Sequence, residues 1–223
     1  MSERWQSYFE SHGAYENNWL STAVMHWGFH ETLYGMIGRY CEKPSRILDV
    51  GSGPGWSEFY LSSMGYEVTG VDNEPTLVEL AKRRAELLGV SAEFEVADAF
   101  DLSAYHAKFD LVFSCGVLEH FDREVTVRLL KEQALCAKYV LVEIPTRYTA
   151  YTGEITDERF YSVSELAKMV GEAGMDVVAC FGYGDLVATP LQVFFRRVLP
   201  RAVWRWLQNK GFAYSIAVIG ARK

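Results

Sequence analysis

Three glycines spaced two residues apart, Gly51, Gly53 and Gly55, follow the apolar run "RILDV" and precede a helical pattern. Glycine adopts a left-handed backbone without strain and lets another group approach the main chain closely. The first N–H groups of a helix are also ready donors for polar or anionic groups. Tight turns use glycine for the same conformational reason, so the surrounding elements have to decide what this loop binds.

Acidic residues follow the next two predicted strands. Asp72 closes "EVTGVD" about 20 residues after the glycines, a separation that suits a carboxylate holding ribose hydroxyls. The alternative interpretation is that Asp72 only caps the following helix. Asp98 ends the next strand in "VADAF", and "FDLVFSCGVLEHF" opens into another loop. These strand ends are expected to meet in one crevice, and the GxGxG spacing disfavours a dinucleotide, which goes with GxGxxG.

Alternating apolar runs and helical patterns predict the elements that position these residues. The pattern is typical of an α/β fold with a seven-stranded, mostly parallel sheet, the last strand antiparallel, and helices on both faces. The predicted strands are Arg46 to Val50, Glu67 to Asp72, Ala92 to Ala97, Phe109 to Ser114, Tyr139 to Ile144, Asp176 to Tyr183 and Ala213 to Ala221. The predicted helices are Gly55 to Met64, Glu74 to Leu88, Arg123 to Ala137 and Val163 to Ala173.

Two segments stand outside this alternation. Residues 1–45 are rich in Trp, Tyr and His and are interpreted as an N-terminal helical lid or extension of the domain formed by residues 46–223. Residues 185–211 form an insertion between the last two strands, long enough for helices of its own.

Charge is unevenly distributed along the 223 residues, whose net charge is −7. This acidic balance argues against a nucleic-acid partner, because phosphate contacts need clustered Lys and Arg. Five basic residues and no acid lie between positions 186 and 210, which leaves −12 on the rest of the chain. The aromatic and basic residues 191–210 fit a peripheral segment on an anionic membrane. They equally fit a helical insertion that packs its apolar face on the sheet with its arginines in water.

The four cysteines are scattered, without a CxxC pair, and the amino terminus has no apolar leader region. A chain with these features is expected to be cytoplasmic, with free thiols. The sequence does not specify an oligomeric state.

Four motifs together resemble the class I S-adenosylmethionine-dependent methyltransferases, of the type that acts on small molecules or lipids. They are "LDVGSGPG", "VTGVDNE", "ADAF" and "FDLVFSCGVLEH". The resemblance implies a Rossmann-like fold, with S-adenosylmethionine as the cofactor and S-adenosylhomocysteine as the product. The cofactor-binding residues that it implies are Asp49, Gly51, Ser52, Gly53, Gly55, Asp72, Asn73, Asp98, Ala99, Phe100, Cys115 and Gly116.

A second, weaker likeness concerns "MHWGFHE" near the amino terminus. Several small-molecule and lipid methyltransferases carry a similar segment that closes over the cofactor, so Tyr15, His26 and Trp27 become lid candidates. The alternative is that these aromatic residues only bury an N-terminal helix. His26 and His30 share a helix face, but no third ligand is apparent, and we expect no metal.

Methyl transfer from a sulfonium is an in-line displacement that depends mostly on holding the acceptor in line. An acidic acceptor would also need a general base, for which His120 and Glu119 are the candidates. The segment after the fifth strand is the expected acceptor wall, with candidates Arg147, Tyr148, Tyr151, Arg159 and Tyr161. A small-molecule or lipid-like acceptor is favoured, and the alternatives are a protein acceptor or a non-catalytic relative that only binds the cofactor.

Overall fold

A computed structural model describes residues 2–11, 13–148, 158–184 and 190–223, with only the backbone given for residues 2–6 and 190–192. Its strands are β1 (Arg46–Val50), β2 (Glu67–Asp72), β3 (Ala92–Val96), β4 (Phe109–Cys115), β5 (Ala137–Pro145), β6 (Met175–Tyr183) and β7 (Ser215–Arg222). Its α-helices are α1 (Ser2–Ser11), α2 (Trp19–Phe29), α3 (Glu31–Tyr40), α4 (Trp56–Ser63), α5 (Pro75–Leu88), α6 (Arg123–Cys136), α7 (Val163–Glu172), α8 (Pro190–Val198) and α9 (Arg201–Asn209).

The strands form one seven-stranded sheet in the order β3-β2-β1-β4-β5-β7-β6. β1 pairs in parallel with β2 and with β4, and β2 pairs in parallel with β3. β7 runs antiparallel to both of its neighbours, β5 and β6. The predicted fold class is therefore confirmed, including the antiparallel last strand. All predicted strand and helix bounds lie within two residues of those observed.

Local signals explain where several helices begin and end. Ser162 and Glu165 form the reciprocal hydrogen bonds of a capping box at the start of α7. Gly89 ends α5 in the left-handed conformation, with φ of 64°. These are the residues whose types predicted the same boundaries from the sequence.

The chain divides into two compact units, one of residues 1–113 with 135–138 and one of residues 114–134 with 139–223. The first unit has a core on β1, β2 and β4 that includes Leu48, Val71 and Val112. In the second unit β7 is buried from Ser215 to Gly220, and α7 packs on β6 and β7. Each unit thus has apolar packing of its own.

The two segments outside the alternating pattern are helical. Residues 1–45 hold α1, α2 and α3, and the insertion between β6 and β7 holds α8 and α9. Among the described residues, none of the helices combines the length and the apolar character needed to cross a membrane.

Candidate functional site

The glycine loop after β1 needs glycine at each of its three spaced positions. Gly51, Gly53 and Gly55 have φ values of 89°, 53° and 84°, which L side chains rarely adopt. The N–H groups of Gly51 and Ser52 both donate to the carbonyl of Val71 in β2, at 2.8 and 3.1 Å. The loop is therefore a tight turn fastened to the neighbouring strand.

Close packing adds a second reason for glycine in this loop. A Cβ on Gly55 would lie 2.8 Å from the Phe94 ring and 3.0 Å from Ala81. A Cβ on Gly53 would lie 2.9 Å from the ring of Phe9 in α1. The main chain of the loop thus lies directly against side chains from three other elements.

Asp72, at the end of β2, links the glycine loop to the turn before α5. Its Oδ2 accepts from Gly53 N and its Oδ1 accepts from Glu74 N, both at 2.9 Å. Burial raises its pKa, although these backbone donors oppose the rise. Glu74, rather than Asp72, caps α5, because its side chain accepts from Thr76 N. The alternative that Asp72 serves only as the helix cap is therefore wrong, and Asn73 lies exposed between the two acids.

Two buried carboxylates, Asp49 and Glu58, lie together next to this loop. Neither oxygen of Glu58, nor Oδ1 of Asp49, accepts a hydrogen bond from a donor among the described residues. Burial and the neighbouring Glu58 raise the pKa of Asp49 well above its usual value, and burial raises that of Glu58 to about 8. Gly70 of β2 leaves room for Glu58 and Ser52, since a Cβ there would lie 2.8 Å from Ser52 Cβ. The raised pKa values favour the protonated acids in the protein alone, and a cationic ligand placed beside them would favour their ionised forms.

Sequence reasoning missed Glu58. The signal for it was present, because a charged residue stands in the apolar sequence "WSEFYL" directly after the glycine loop. A fully buried acid at such a position needs a compensating partner, and the described residues supply no hydrogen-bond donor to its oxygens.

Asp98 follows β3 and shapes the turn that carries Ala99 and Phe100. Its Oδ1 accepts from Phe100 N at 2.9 Å, and its carbonyl accepts from Asp101 N at 2.9 Å. The Asp98 side chain is exposed, whereas Ala99 and Phe100 are half-buried. This turn lies in the first unit, as do Asp49, the glycine loop and Asp72.

The predicted lid segment contacts the first turn of α4. His26 Nε2 lies 3.2 Å from Ser57 Oγ, and Tyr34 Oη lies 3.1 Å from the same hydroxyl. Trp27 Nε1 donates to the carbonyl of Trp56 at 2.5 Å. Both lid histidine and lid tryptophan thus hold the residues that immediately follow the glycine loop.

The surroundings of His26 in α2 favour its neutral state. The rings of His26 and His30 have centroids 4.0 Å apart, and His30 Nδ1 lies 2.9 Å from the carbonyl of His26. Burial, together with the charge of a protonated His30, holds the pKa of His26 well below its usual value. His26 is therefore an uncharged partner for Ser57 at neutral pH.

Arg84 of α5 anchors the N-terminal segment and was not predicted. It is buried, donates to the carbonyl of Ala14, and lies with its guanidinium 4.3 Å from the ring centroid of Trp19. Burial lowers its pKa to about 10. Tyr15, the third lid candidate, is exposed next to Ala14. Arg84 is the last of three consecutive basic residues on α5, after Lys82 and Arg83, and the sequence does not mark it as the one that forms the anchor.

In the second unit, Cys115 and Gly116 end β4 beside a buried acid. Cys115 Sγ donates to Glu143 Oε2 at 2.9 Å, and Gly116 N donates to the Glu143 carbonyl at 3.3 Å. Glu143 is buried in β5 and was also missed, although it interrupts the apolar run "YVLVEIP". Its contacts fix the strand end that carries Cys115.

Glu119 and His120 form a short 3₁₀ turn held by the segment from residue 158 to 161. The main-chain N–H of Arg159 donates to the Glu119 carbonyl at 2.8 Å, and its Nη1 donates to the His120 carbonyl at 3.0 Å. Tyr161 Oη donates to the Phe121 carbonyl at 3.3 Å. Two of the predicted acceptor-wall residues therefore contact the turn that carries the base candidates.

Glu119 is buried, and its Oε1 lies 3.8 Å from His120 Nε2. Together with Glu158, these residues place three ligand atoms within 4.8 Å of one another, a spacing that is compatible with a metal ion. The expectation that the protein holds no metal stays a prediction.

The remaining acceptor-wall candidates differ in their surroundings. Arg147 and Tyr148 are exposed just after β5, and the Tyr148 ring meets Phe212 edge-on at 5.3 Å. Thr146 fixes the start of this segment by donating from Oγ1 to the Ala213 carbonyl at 2.6 Å. Tyr151 lies outside the described residues.

Residues 47–138 match a family model described as a methyltransferase domain. A ubiquinone biosynthesis O-methyltransferase from Methylocella silvestris is 39% identical over 85 residues, or 37% of this chain and 33% of that protein. One from Paramagnetospirillum magneticum is 40% identical over 154 residues, or 59% of each. The chain thus spans less than two thirds of the length of these curated relatives.

Among solved structures, magnesium protoporphyrin IX methyltransferase from Synechocystis PCC 6803 with bound S-adenosylhomocysteine has a TM-score of 0.66. It is 18% identical, and the match covers 99% of this chain and 94% of that one, a likeness that shows the fold. The matched domain contains the glycine loop, the acid at the end of β2 and the turn after β3. The methyltransferase-domain match, the methyltransferase relatives and the shared fold support the predicted resemblance to the class I S-adenosylmethionine-dependent methyltransferases.

Proposed function

We propose that this chain transfers a methyl group from S-adenosylmethionine to a small-molecule or lipid-like acceptor by in-line displacement. The observation that carries the proposal is the buried pair Asp49 and Glu58 beside a loop of left-handed glycines, since Oδ1 of Asp49 and both oxygens of Glu58 lack a donor among the described residues. A cofactor with an ammonium group and a sulfonium supplies the positive charge that such acids need. When bound, S-adenosylmethionine supplies an electrophilic methyl group.

The residues of the first unit fit the parts of this cofactor. The left-handed glycine main chain at Gly51 suits the methionine portion, which has to approach the backbone closely, whereas the Phe9 ring lies against Gly53. Asp72 keeps further acceptor capacity on its two oxygens for ribose hydroxyls, since each accepts one described backbone donor. The turn at Asp98 offers an exposed carboxylate for the adenine side.

His26 and Trp27 are proposed to act as part of a lid. Their contacts with Ser57 and Trp56 hold α2 against the first turn of α4. A neutral His26 adds no positive charge next to a cationic cofactor. In this role the segment excludes water from the methionine end of the site.

His120 is proposed as the group that accepts a proton from an acceptor hydroxyl. The buried Glu119 carboxylate lies 3.8 Å from Nε2 and orients the ring. We place proton uptake at Nδ1, with Nε2 directed at Glu119. Arg159 and Tyr161 position this turn through its carbonyls rather than through the imidazole itself.

The acceptor class follows from the relatives. Two of them are named O-methyltransferases of ubiquinone biosynthesis, so hydroxyl groups on apolar molecules are the first class to screen. The surroundings of His120 agree with an acceptor that has to lose a proton.

The test combines cofactor binding with turnover. Thermal unfolding is followed with S-adenosylmethionine, S-adenosylhomocysteine, NAD and NADH, each in large excess. A ligand at about 100 times its Kd stabilises a protein by about 2.7 kcal/mol, which raises Tm by a few degrees. We expect stabilisation by the two adenosyl-sulfur ligands alone, and stabilisation by a nicotinamide instead would overturn the proposal.

Turnover is measured with a labelled methyl donor and a panel of hydroxylated apolar acceptors. Label appearing only in protein fractions would support the protein-acceptor alternative, and binding without any turnover would support a non-catalytic relative. For the base, we expect His120→Gln to lower kcat and remove the acidic limb of its pH profile, while His106→Gln leaves both unchanged. An unchanged profile in His120→Gln would exclude His120 as the base.

A further inference from the structure

Helices α8 and α9 present large apolar side chains to solvent. Phe194 and Val198 of α8 are 57% and 55% exposed, and Trp206 of α9 is 58% exposed. Phe195 and Val203 are exposed as well. We call these five residues the apolar face. A face of this kind on a soluble domain usually marks an interaction surface.

The inner side of α9 is firmly fixed, so the outward direction of Trp206 is set by the fold. A Cβ on Gly182 of β6 would collide with the main chain of Gln208, which shows how closely the helix approaches the strand. Gly182 N also donates to Asn209 Oδ1 at 3.3 Å. Trp204, two residues before Trp206, is buried and meets Phe212 edge-on at 5.6 Å.

Cations surround the apolar face. Arg196 and Arg197 of α8, Arg201 and Arg205 of α9, and Lys210 are all exposed. No acidic residue occurs between positions 186 and 210, although the rest of the chain carries −12. Within α9, Arg201 and Arg205 are four residues apart and share one side of the helix, whereas Val203 and Trp206 are three apart and share another.

The combination of exposed apolar side chains and cations indicates which kind of partner this surface binds. A nucleic acid would use the cations but leave five apolar side chains in water, and it would be repelled by the acidic remainder of the chain. An interfacial helix on a bilayer uses both features, because its apolar side chains enter the acyl boundary and its arginines meet lipid phosphates. Tryptophan is also favoured at the membrane interface.

We infer that α8 and α9 dock the protein on a bilayer that contains anionic lipid. This goes beyond the proposed methyl transfer and does not depend on it. It implies a peripheral attachment in which Phe194, Val198 and Trp206 insert while the arginines remain at the headgroups.

The experiment is sedimentation of the full chain with vesicles of phosphatidylcholine alone or with about one third phosphatidylglycerol, at low and high salt. We expect at least tenfold tighter binding to the anionic vesicles and a clear loss of binding at high salt. Trp206→Ser and the double variant Arg201→Gln with Arg205→Gln should each weaken binding at least fivefold. Leu87→Ser and Lys82→Gln, exposed residues of α5, serve as matched controls and should bind as the wild type.

Trp206→Phe gives a second readout that does not depend on loss of binding. Brominated lipids should quench part of the wild-type tryptophan fluorescence, and the variant should bind but lose that quenching. Equal binding to neutral and anionic vesicles would overturn the inference, as would unchanged binding in Trp206→Ser and in the arginine variant. It would also be overturned if the same variants abolished a duplex nucleic acid shift or a concentration-dependent dimer while no vesicle binding occurred.

Discussion

The glycine loop of the first unit and the 3₁₀ turn of the second are built by different kinds of contact. Around the loop, backbone N–H groups donate to a strand carbonyl and to Asp72, and the main chain has left-handed φ values. Around the turn, the long side chains of Arg159 and Tyr161 donate to backbone carbonyls. The first arrangement requires particular residue types at fixed spacing, whereas many side chains from many positions could provide the second. The proposed cofactor loop therefore depends on particular residue types, and the proposed acceptor turn is open to variation.

Gly55→Ala is the strongest test of whether the loop requires glycine at this position. The new Cβ would meet Phe94 and Ala81 within 3.0 Å, and alanine would have to adopt φ of 84°. The left-handed backbone and the overpacking together are expected to lower the free energy of unfolding by about 4 kcal/mol. Urea denaturation followed by circular dichroism measures this change.

Gly89→Ala is the matched control for that experiment. Gly89 is also left-handed, with φ of 64°, but nothing lies within 4 Å of its Cβ position. Gly89→Ala should therefore lower the free energy of unfolding only by the cost of the left-handed backbone, about 1 to 2 kcal/mol. Equal losses in the two variants would mean that packing under the loop contributes nothing.

Because the buried acids have raised pKa values, we expect a second large effect, on the pH dependence of the free energy of unfolding. The pKa of Glu58 is raised from 4.5 to about 8, chiefly by burial, so the folded protein retains a proton that the unfolded chain loses. Stability should then fall as pH rises between those two values and level off above pH 8. We expect the loss to be roughly 3 kcal/mol between pH 5 and pH 8.

Glu58→Gln should flatten this slope and be more stable than the wild type at pH 8, because the amide has no charge to desolvate. Asp49 contributes in the same direction, so some slope should remain. Glu79→Gln, which removes an exposed carboxylate on α5, should keep the full wild-type slope. A slope that is identical in wild type and Glu58→Gln would contradict the assignment.

Sequence reasoning recovered the seven-stranded sheet with its antiparallel last strand and the succession of strands and helices along the chain from β1 to β6, because these depend on local periodicity and on glycine and aspartate at strand ends. It did not find Glu58 or Glu143, although each interrupts an apolar run. It also did not find Arg84, which donates to Ala14, 70 residues away. Nothing distinguishes Arg84 from the neighbouring Lys82 and Arg83 as the residue that makes this distant contact. Contacts around the 3₁₀ turn are equally hard to predict from sequence, since Arg159 donates to the carbonyl of His120, 39 residues away.

Asp72→Asn tests the glycine loop through its effect on affinity for S-adenosylhomocysteine. The variant loses the negative charge of the carboxylate whose Oδ2 accepts from Gly53 N. That carboxylate is also expected to hold the ribose hydroxyls. Charge-assisted hydrogen bonds contribute about 1.5 to 3 kcal/mol, so affinity for S-adenosylhomocysteine should fall by about 10- to 100-fold in calorimetry. Asp110→Asn is the control, because Asp110 also accepts a backbone N–H, from Arg46 at 2.8 Å, but at the opposite end of β1. Similar losses of affinity in both variants would point to a general effect on the fold.

The smallest effect is expected on the acceptor side, with Tyr161→Phe. The variant loses the hydrogen bond to the Phe121 carbonyl at 3.3 Å, which should cost about 1 kcal/mol of stability. Because that contact holds the turn that carries His120, KM for the acceptor should rise while cofactor affinity stays unchanged. Tyr148→Phe is the companion variant, since the described contact of Tyr148 with Phe212 is made by its ring and survives the change. A loss of S-adenosylhomocysteine binding in Tyr161→Phe would show that the two sides are coupled, and would contradict the division between a rigid cofactor loop and an adaptable acceptor turn.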